Sequence, residues 1–376
     1  MKTKVLLVLI LALNAATFYA QELSLVREDG KFGYIDRSGT YVIEPKFDRA
    51  KTFSNGLAAA EKDKKWGYIN TKGEWAIEPK FDKVKYFDSG YALVLENDEW
   101  KYIDTSGEEL QVPPAEKYYD FEEGVALFRE GDKIGLLGTS GKLVLEPTYD
   151  AIKKFRNGNA KVQKGEKWGM IDTKGKVVIP VEYEEIGNEY TPYGVEAKKD
   201  GAFGIVHNGT FNPIEGADKV WGFYGNSGLT YARKNKKIGF VNSKGEWVIE
   251  PQFDKARAFV NGLAPVAQGK SWGYIDPKGK MVIKAEYRDA EVFADNGLAP
   301  VKQKQWGFID TTGKVVIPLE YDITAGLAFL AGNDSKGFIN GLARVKTKKG
   351  WGFLDKNGKL LGDKWFQNAE PFTSVE

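Results

Sequence analysis

One histidine, His207, and no cysteine stand in a chain of 376 residues. Thiol nucleophiles, thiolate metal sites, disulfides and thiol redox switches are therefore excluded. A histidine-based triad would have to use His207, and one imidazole cannot build a His-rich metal centre. Carboxylates remain. Asp or Asn recurs at Asp36, Asn70, Asp104, Asp172, Asn242, Asp276, Asp310 and Asp355, and glutamate at Glu44, Glu78, Glu146 and Glu250. A ladder of acids is what a calcium-binding solenoid uses, and a carboxylate pair is what a glycosidase uses. Calcium loops need several oxygens per ion. Here a single acid or amide is followed by Thr-Lys or Ser-Lys, as in Asp172-Thr173-Lys174 and Asn242-Ser243-Lys244, and lysine opposes a cation. A glycosidase needs one unique pair, and these acids repeat. Turn capping is their expected role. We assign no catalytic residue, no metal ligand and no cofactor, and a carboxylate-dependent hydrolase ranks last among the functional readings. No G-x-S-x-G, Walker or dinucleotide fingerprint is present.

The elements that carry these acids are repeats. A glycine between two larger residues marks each unit at Gly33, Gly67, Gly135, Gly169, Gly204, Gly239, Gly273, Gly307 and Gly352, with Lys101 in the same register. Successive markers lie 34 or 35 residues apart, except 45 for the last. Tryptophan precedes the marker at Trp66, Trp100, Trp168, Trp272, Trp306 and Trp351. Three positions after it comes the Asp or Asn, and six after it a glycine. Fourteen after it comes an aromatic, such as Phe47, Phe81 or Tyr149, and twenty after it another, such as Phe53, Phe87 or Phe121. Trp66 to Ile69 is rich in β-formers, Asn70-Thr71-Lys72-Gly73 is a turn, and Glu74 to Ile77 is the returning strand. Tyr91 to Val94 then opens the next unit. The spacing predicts about ten units of three short strands each and no helix beyond the N-terminal segment.

These residues resemble the WG-repeat (KWG) family of bacterial proteins. The likeness rests on Lys65-Trp66-Gly67-Tyr68-Ile69-Asn70-Thr71-Lys72-Gly73 and Ile77-Glu78-Pro79-Lys80-Phe81-Asp82, and recurs at 167–184, 237–254 and 305–322. It implies an all-β, often exported repeat protein with no established catalytic residues. The structural anchors are Trp66, Gly67, Trp100, Trp168, Gly169, Trp272, Gly273, Trp306, Gly307, Trp351 and Gly352.

Departures from the pattern mark three places. The third unit carries Lys101 for glycine and Ala115 for the aromatic, and gains Pro113-Pro114. The sixth, near 200–231, has His207 at the Asp position, expected as a solvated turn residue. Around it lie Tyr190, Tyr193, Trp221, Phe223, Tyr224 and Tyr231, which read either as fill for a degenerate core or as a ligand platform. Near 319–342 about eleven extra residues enter, either as an apolar flank or as the remnant of a partial repeat.

Residues 1–20 combine Lys2 and Lys4 with an apolar run from Val5 to Leu13 and small residues beyond it, a secretory signal pattern. Cleavage is expected after Ala20 or Ala16, and without a cysteine the segment is not a lipoprotein signal. The 54 basic and 52 acidic residues become 52 of each once Lys2 and Lys4 leave, so the chain has no net charge to attract nucleic acid. The mean hydropathy is −0.41, and no membrane span is expected after cleavage. Residues 21–376 then form one repeat domain. Ten units exceed the usual blade number of a propeller, and three strands fall short of a blade. An open β-solenoid or superhelix is therefore favoured, with a closed propeller-like or two-lobed array as the alternative. The expected function is a non-catalytic binding or scaffold protein of the bacterial envelope, periplasmic, surface-bound or secreted. Its partner would be a glycan, a cell-wall polymer or a protein, the alternative being a protein-interaction module of an exported assembly.

Overall fold

Each tight turn follows from residues that tolerate its backbone. In the second unit, Ala58–Lys62 and Lys65–Ile69 pair antiparallel. Asp63 and Lys64 join them at φ of 51° and 65°, the two-residue turn whose twist suits paired strands. Lys65–Ile69 then pairs with Trp75–Phe81 across Asn70 to Glu74, where Gly73 has a φ of 76°. The Asn70 side-chain oxygen accepts the Lys72 and Glu74 amides at 2.9 and 3.1 Å. Asp36, Asp104, Asp172, Asn242, Asp276, Asp310 and Asp355 cap their own turns in the same way. The recurring acids are thus engaged by backbone amides.

The computed structural model describes residues 21–322 and 337–376. The expected signal segment lies outside the described residues, as do residues 323–336 of the insertion. The strands form ten separate sheets in chain order. A hydrophobic cluster fills every junction between neighbouring sheets. Tyr68 and Phe81 of the second pack on Phe87 and Val94 of the third, and so on to Phe353 and Leu342 of the tenth, which pack on Val26 and Ile35 of the first. The core is therefore ten wedges between blades. A three-residue 3-10 turn, Leu361–Asp363, is the one helical element among the described residues.

The favoured open array of three-stranded units is corrected: the chain closes as a ten-bladed β-propeller. The connection after the fourteenth-position aromatic holds a further strand of two residues, Arg49–Ala50 in the second blade, which pairs with Ala58–Lys62 and makes that blade four-stranded. The first blade begins at Glu22–Glu28 and lacks this piece. Asn368–Ala369 supplies it, pairing Val26 with Ala369, and Thr373–Ser374 adds a second contact. Chain end and chain start share one sheet, which is how a ring removes its exposed edges.

The repeated aromatics build the wedges. The residue after the marker packs on the twentieth-position aromatic of the next blade: Tyr34 on Phe53 at 4.8 Å between ring centres, Tyr68 on Phe87 at 4.7 Å, Tyr274 on Phe293 at 5.0 Å and Phe353 on Phe372 at 4.8 Å. Phe308 packs at 4.9 Å on Phe338, beyond the insertion. Residues 337–342 are thus the entry into the tenth blade, with Phe338–Ile339 its first strand. They are not a spare partial repeat.

Four of the marker tryptophans each hold a cation against the neighbouring blade. Lys51 lies 5.7 Å from the Trp66 ring and donates to the Val84 carbonyl of the next blade at 2.8 Å. Lys161 over Trp168 reaches the Ile186 carbonyl. Arg257 over Trp272 reaches that of Ala290, and Arg344 over Trp351 that of Ala369. Cation–π contact and carbonyl together anchor a charge that is partly withdrawn from water. Trp272→Ala is expected to cost about 3–5 kcal/mol, seen as a lower thermal unfolding midpoint. An unchanged midpoint would contradict this role.

Candidate functional site

The marker glycine is required by a close approach. A Cβ on Gly67 would sit 2.5 Å from the Ile77 carbonyl oxygen, and one on Gly135, Gly169, Gly239 or Gly273 would sit 2.2–2.6 Å from its equivalent. The fourth strand bulges across this face in each of these blades. The third blade carries Lys101 there, and its sheet has three strands, Lys83–Val84, Tyr91–Glu96 and Glu99–Asp104. Beyond Ile103, which bridges to Glu109, no fourth strand continues. Two sequence changes act together: Lys101 blocks the bulge, and Ala115 offers no aromatic to cover Trp100. Pro113 stands where Pro45, Pro79 and Pro147 stand inside fourth strands, so of the two prolines only Pro114 is new to this unit.

The vacated position is a cleft of about 920 Å³. Trp100, Tyr118 and Tyr119 supply its aromatic lining, and Asp98, Glu99 and Glu116 much of its negative charge. Trp100 is half-buried, whereas Trp66 is 8% exposed. The Tyr102 hydroxyl fixes one wall by donating to the Tyr119 carbonyl at 2.6 Å, and Lys117 lies 4.9 Å from the Tyr119 ring. Lys101 turns to Glu96, with Glu109 at 3.8 Å. The hydrogen bond to Glu96 raises the Lys101 ammonium above its ordinary value and lowers the Glu96 carboxyl. Lys85 pairs with Asp120 at 3.8 Å. A second cavity of about 310 Å³ adjoins the cleft through Asp120. Its lining residues Thr52, Tyr86, Asp120 and Lys154 hold equivalent places in four successive blades.

The aromatics near the sixth unit are distributed differently. Phe223 is buried between the sixth and seventh blades, with Tyr193 packed on it at 5.8 Å between ring centres. Tyr190 packs between the fifth and sixth. Trp221 stacks on Tyr231 at 4.8 Å, with Lys219 at 4.7 Å from the indole. Both rings are half-buried, and Tyr224 is 49% exposed. Tyr190, Tyr193 with Phe223, and Tyr231 therefore belong to three different blade junctions. His207 ends a strand and pairs with Thr210 across Asn208-Gly209.

One group escaped the sequence reading. Glu196 takes the strand position that Lys161 and Arg344 hold in the fifth and tenth blades. Its carboxyl group fills the space beside Gly187, where a Cβ would meet it at 2.4 Å. Burial pushes this carboxyl up to about 7, with nearby Lys161 opposing the shift and Glu189 adding to it. A raised carboxyl favours the fold when protonated. That contribution is complete below the unfolded value near 4.5 and is lost as pH rises through about 7. Glu196→Gln is expected to leave stability unchanged at pH 4 and to raise it at pH 8 by on the order of 2–3 kcal/mol. Equal denaturant midpoints for variant and parent at pH 8 would contradict this.

A WG containing repeat family model matches residues 32–66, 66–100, 134–168, 168–190, 238–271, 272–305 and 306–324. The chain belongs to the WG containing repeat family. The stretch between the matches at 100 and 134 holds Lys101, the prolines and part of the lining of the open cleft, and the stretch from 190 to 238 includes the degenerate sixth unit. No curated protein matches the sequence. Among solved structures, a eukaryotic initiation factor has a TM-score of 0.44 at 14% identity, over 78% of this chain and 95% of that one. The tricorn protease has a TM-score of 0.25 at 13%, over 91% and 44%. Kluyveromyces lactis Hsv2p has one of 0.24 at 9%, over 75% and 94%.

Proposed function

We propose that this WG-repeat propeller is a non-catalytic binding scaffold of the bacterial envelope that engages a protein partner at its third blade. The observation that carries the reading is the cleft left by the missing fourth strand. Other blades fill that position from their own chain, whereas the third leaves about 920 Å³ lined by aromatics and acids. The leader-like N-terminus supports export, and the equal charge count of the remaining chain gives a polyanion no general attraction. Trp100→Ala is expected to weaken partner binding at least about tenfold, with the unfolding midpoint moving less than for Trp272→Ala because Trp100 is less buried. Calorimetry with a co-purified partner checks this. Unchanged affinity would remove the cleft from the binding surface. Cell fractionation of the full chain tests the location, with recovery in the cytosol counting against export.

A second reading, a glycan or cell-wall polymer, is favoured by Trp100, Tyr118 and Tyr119, because flat aromatic faces cover sugar rings. It predicts retention on immobilised cell-wall glycan that Trp100→Ala abolishes.

A further inference from the structure

The third blade leaves an unused pair of backbone groups beside its cleft. Asn97 and Asp98, at φ of 52° and 65°, form a two-residue turn closed by the pair Glu96–Glu99. That pair exchanges hydrogen bonds, so the alternation of an antiparallel ladder directs the N–H and C=O of Trp100 away from Leu95, toward the open edge. In the tenth blade the equivalent Trp351 donates to the Phe366 carbonyl and accepts the Phe366 amide, both at 2.8 Å. In the second, Trp66 faces Phe81. Trp100 has no such backbone partner among the described residues.

We infer that an extended segment of a protein partner adds to the third blade as its fourth strand, setting an aromatic residue opposite Trp100 with lysine or arginine beside it. This rests on the protein-binding reading above. The aromatic follows from the other blades, where Phe47, Phe81, Tyr149, Tyr183, Phe253, Tyr287 and Tyr321 stand at this position and the third blade has only Ala115. The basic flanks follow from charge. Lys85 and Lys101 are matched by Asp120 and by Glu96 and Glu109, and Lys117 lies against the Tyr119 ring, whereas Asp98, Glu99 and Glu116, three carboxylates against that one cation, line the cleft with no ion pair among the described residues. Lys101 also sets the path. Its side chain stands where the bulge passes in other blades, so the incoming strand runs unbulged past Trp100 toward Asp98. Strand addition supplies main-chain hydrogen bonds for affinity and side-chain pockets for selectivity.

The test selects nine-residue peptides on the full chain from two displayed libraries. Both carry a central Phe or Tyr, one flanked by Lys or Arg and the other by Glu. The basic library is expected to be enriched. The best peptide should slow hydrogen exchange of the Trp100 amide at least about tenfold, and Asp98→Asn with Glu116→Gln should weaken it about tenfold. Asn keeps the left-handed turn conformation at position 98, and both positions are exposed, so this variant folds as the parent does. Failure of both libraries to enrich, or bound peptides that leave Trp100 exchange unchanged, overturns strand addition. If peptides fail and immobilised glycan is retained, strand addition falls and the binding scaffold stands. If neither is retained and no partner co-purifies, both fall.

Discussion

Removal of residues 368–376 is expected to open the ring and to destabilise the protein more than any single substitution described above. These residues contain the strand that completes the first blade, and Ala369, Phe372 and Val375 are each buried. Their loss uncovers Val26, Ile35 and Phe353 on the two faces that meet there, and leaves Glu22–Glu28 as an unpaired edge, a template for aggregation. Phe372→Ala alone removes the ring against Phe353 and should cost about 3–5 kcal/mol. The truncated chain should show a larger radius in small-angle scattering and a broad, low-temperature unfolding transition. A truncated chain with the parent's radius and a single sharp transition would mean that the pairing between chain start and chain end does not hold the ring.

The second large effect is expected from Gly67→Lys, which puts into the second blade the change that the third already carries. Its Cβ would lie 2.5 Å from the Ile77 carbonyl oxygen and 2.8 Å from the Pro79 nitrogen. Both contacts are backbone and cannot be relieved by a rotamer change. The strand Trp75–Phe81 should detach, exposing Ile77 and Phe81, which are 6% and 0% exposed. Uncovering both should cost on the order of 3–5 kcal/mol. Hydrogen exchange should rise across residues 75–81 while the strands Ala58–Lys62 and Lys65–Ile69 stay protected. The reverse change, Lys101→Gly, should not restore a fourth strand to the third blade, because Ala115 still gives Trp100 no aromatic cover. Protection appearing across residues 111–116 in that variant would show that the lysine alone keeps the strand out.

Much of the site was written in the sequence as departures from a pattern. Lys101 and Ala115 are visible as the loss of two anchors in one unit, with Pro114 as an added proline. Their joint consequence, one missing strand and a cleft, is visible only once the anchors have a spatial meaning. The inter-blade cations were not legible. Lys51 and Arg257 follow their marker by eighteen residues, while Lys161 and Arg344 precede theirs by eight. No single repeat position carries them, yet each donates to a carbonyl at the same place in the next blade. Glu196 was hidden for the same reason, being an odd residue at a position whose role only packing reveals.

The sequence by itself determined the local structure. Strand, turn and anchor follow from spacing within one unit, because a hairpin is decided by its own turn residues and its own alternation. It also determined the family, since the anchors recur together. Closure was decided by tertiary structure. A two-residue strand has no period to read, and the pairing of Val26 with Ala369 joins the two ends of the chain. Whether ten units coil onward or meet depends on the angle at which each wedge of side chains sets one sheet against the next. That angle is fixed by packing between units, and no stretch of sequence within a unit contains it.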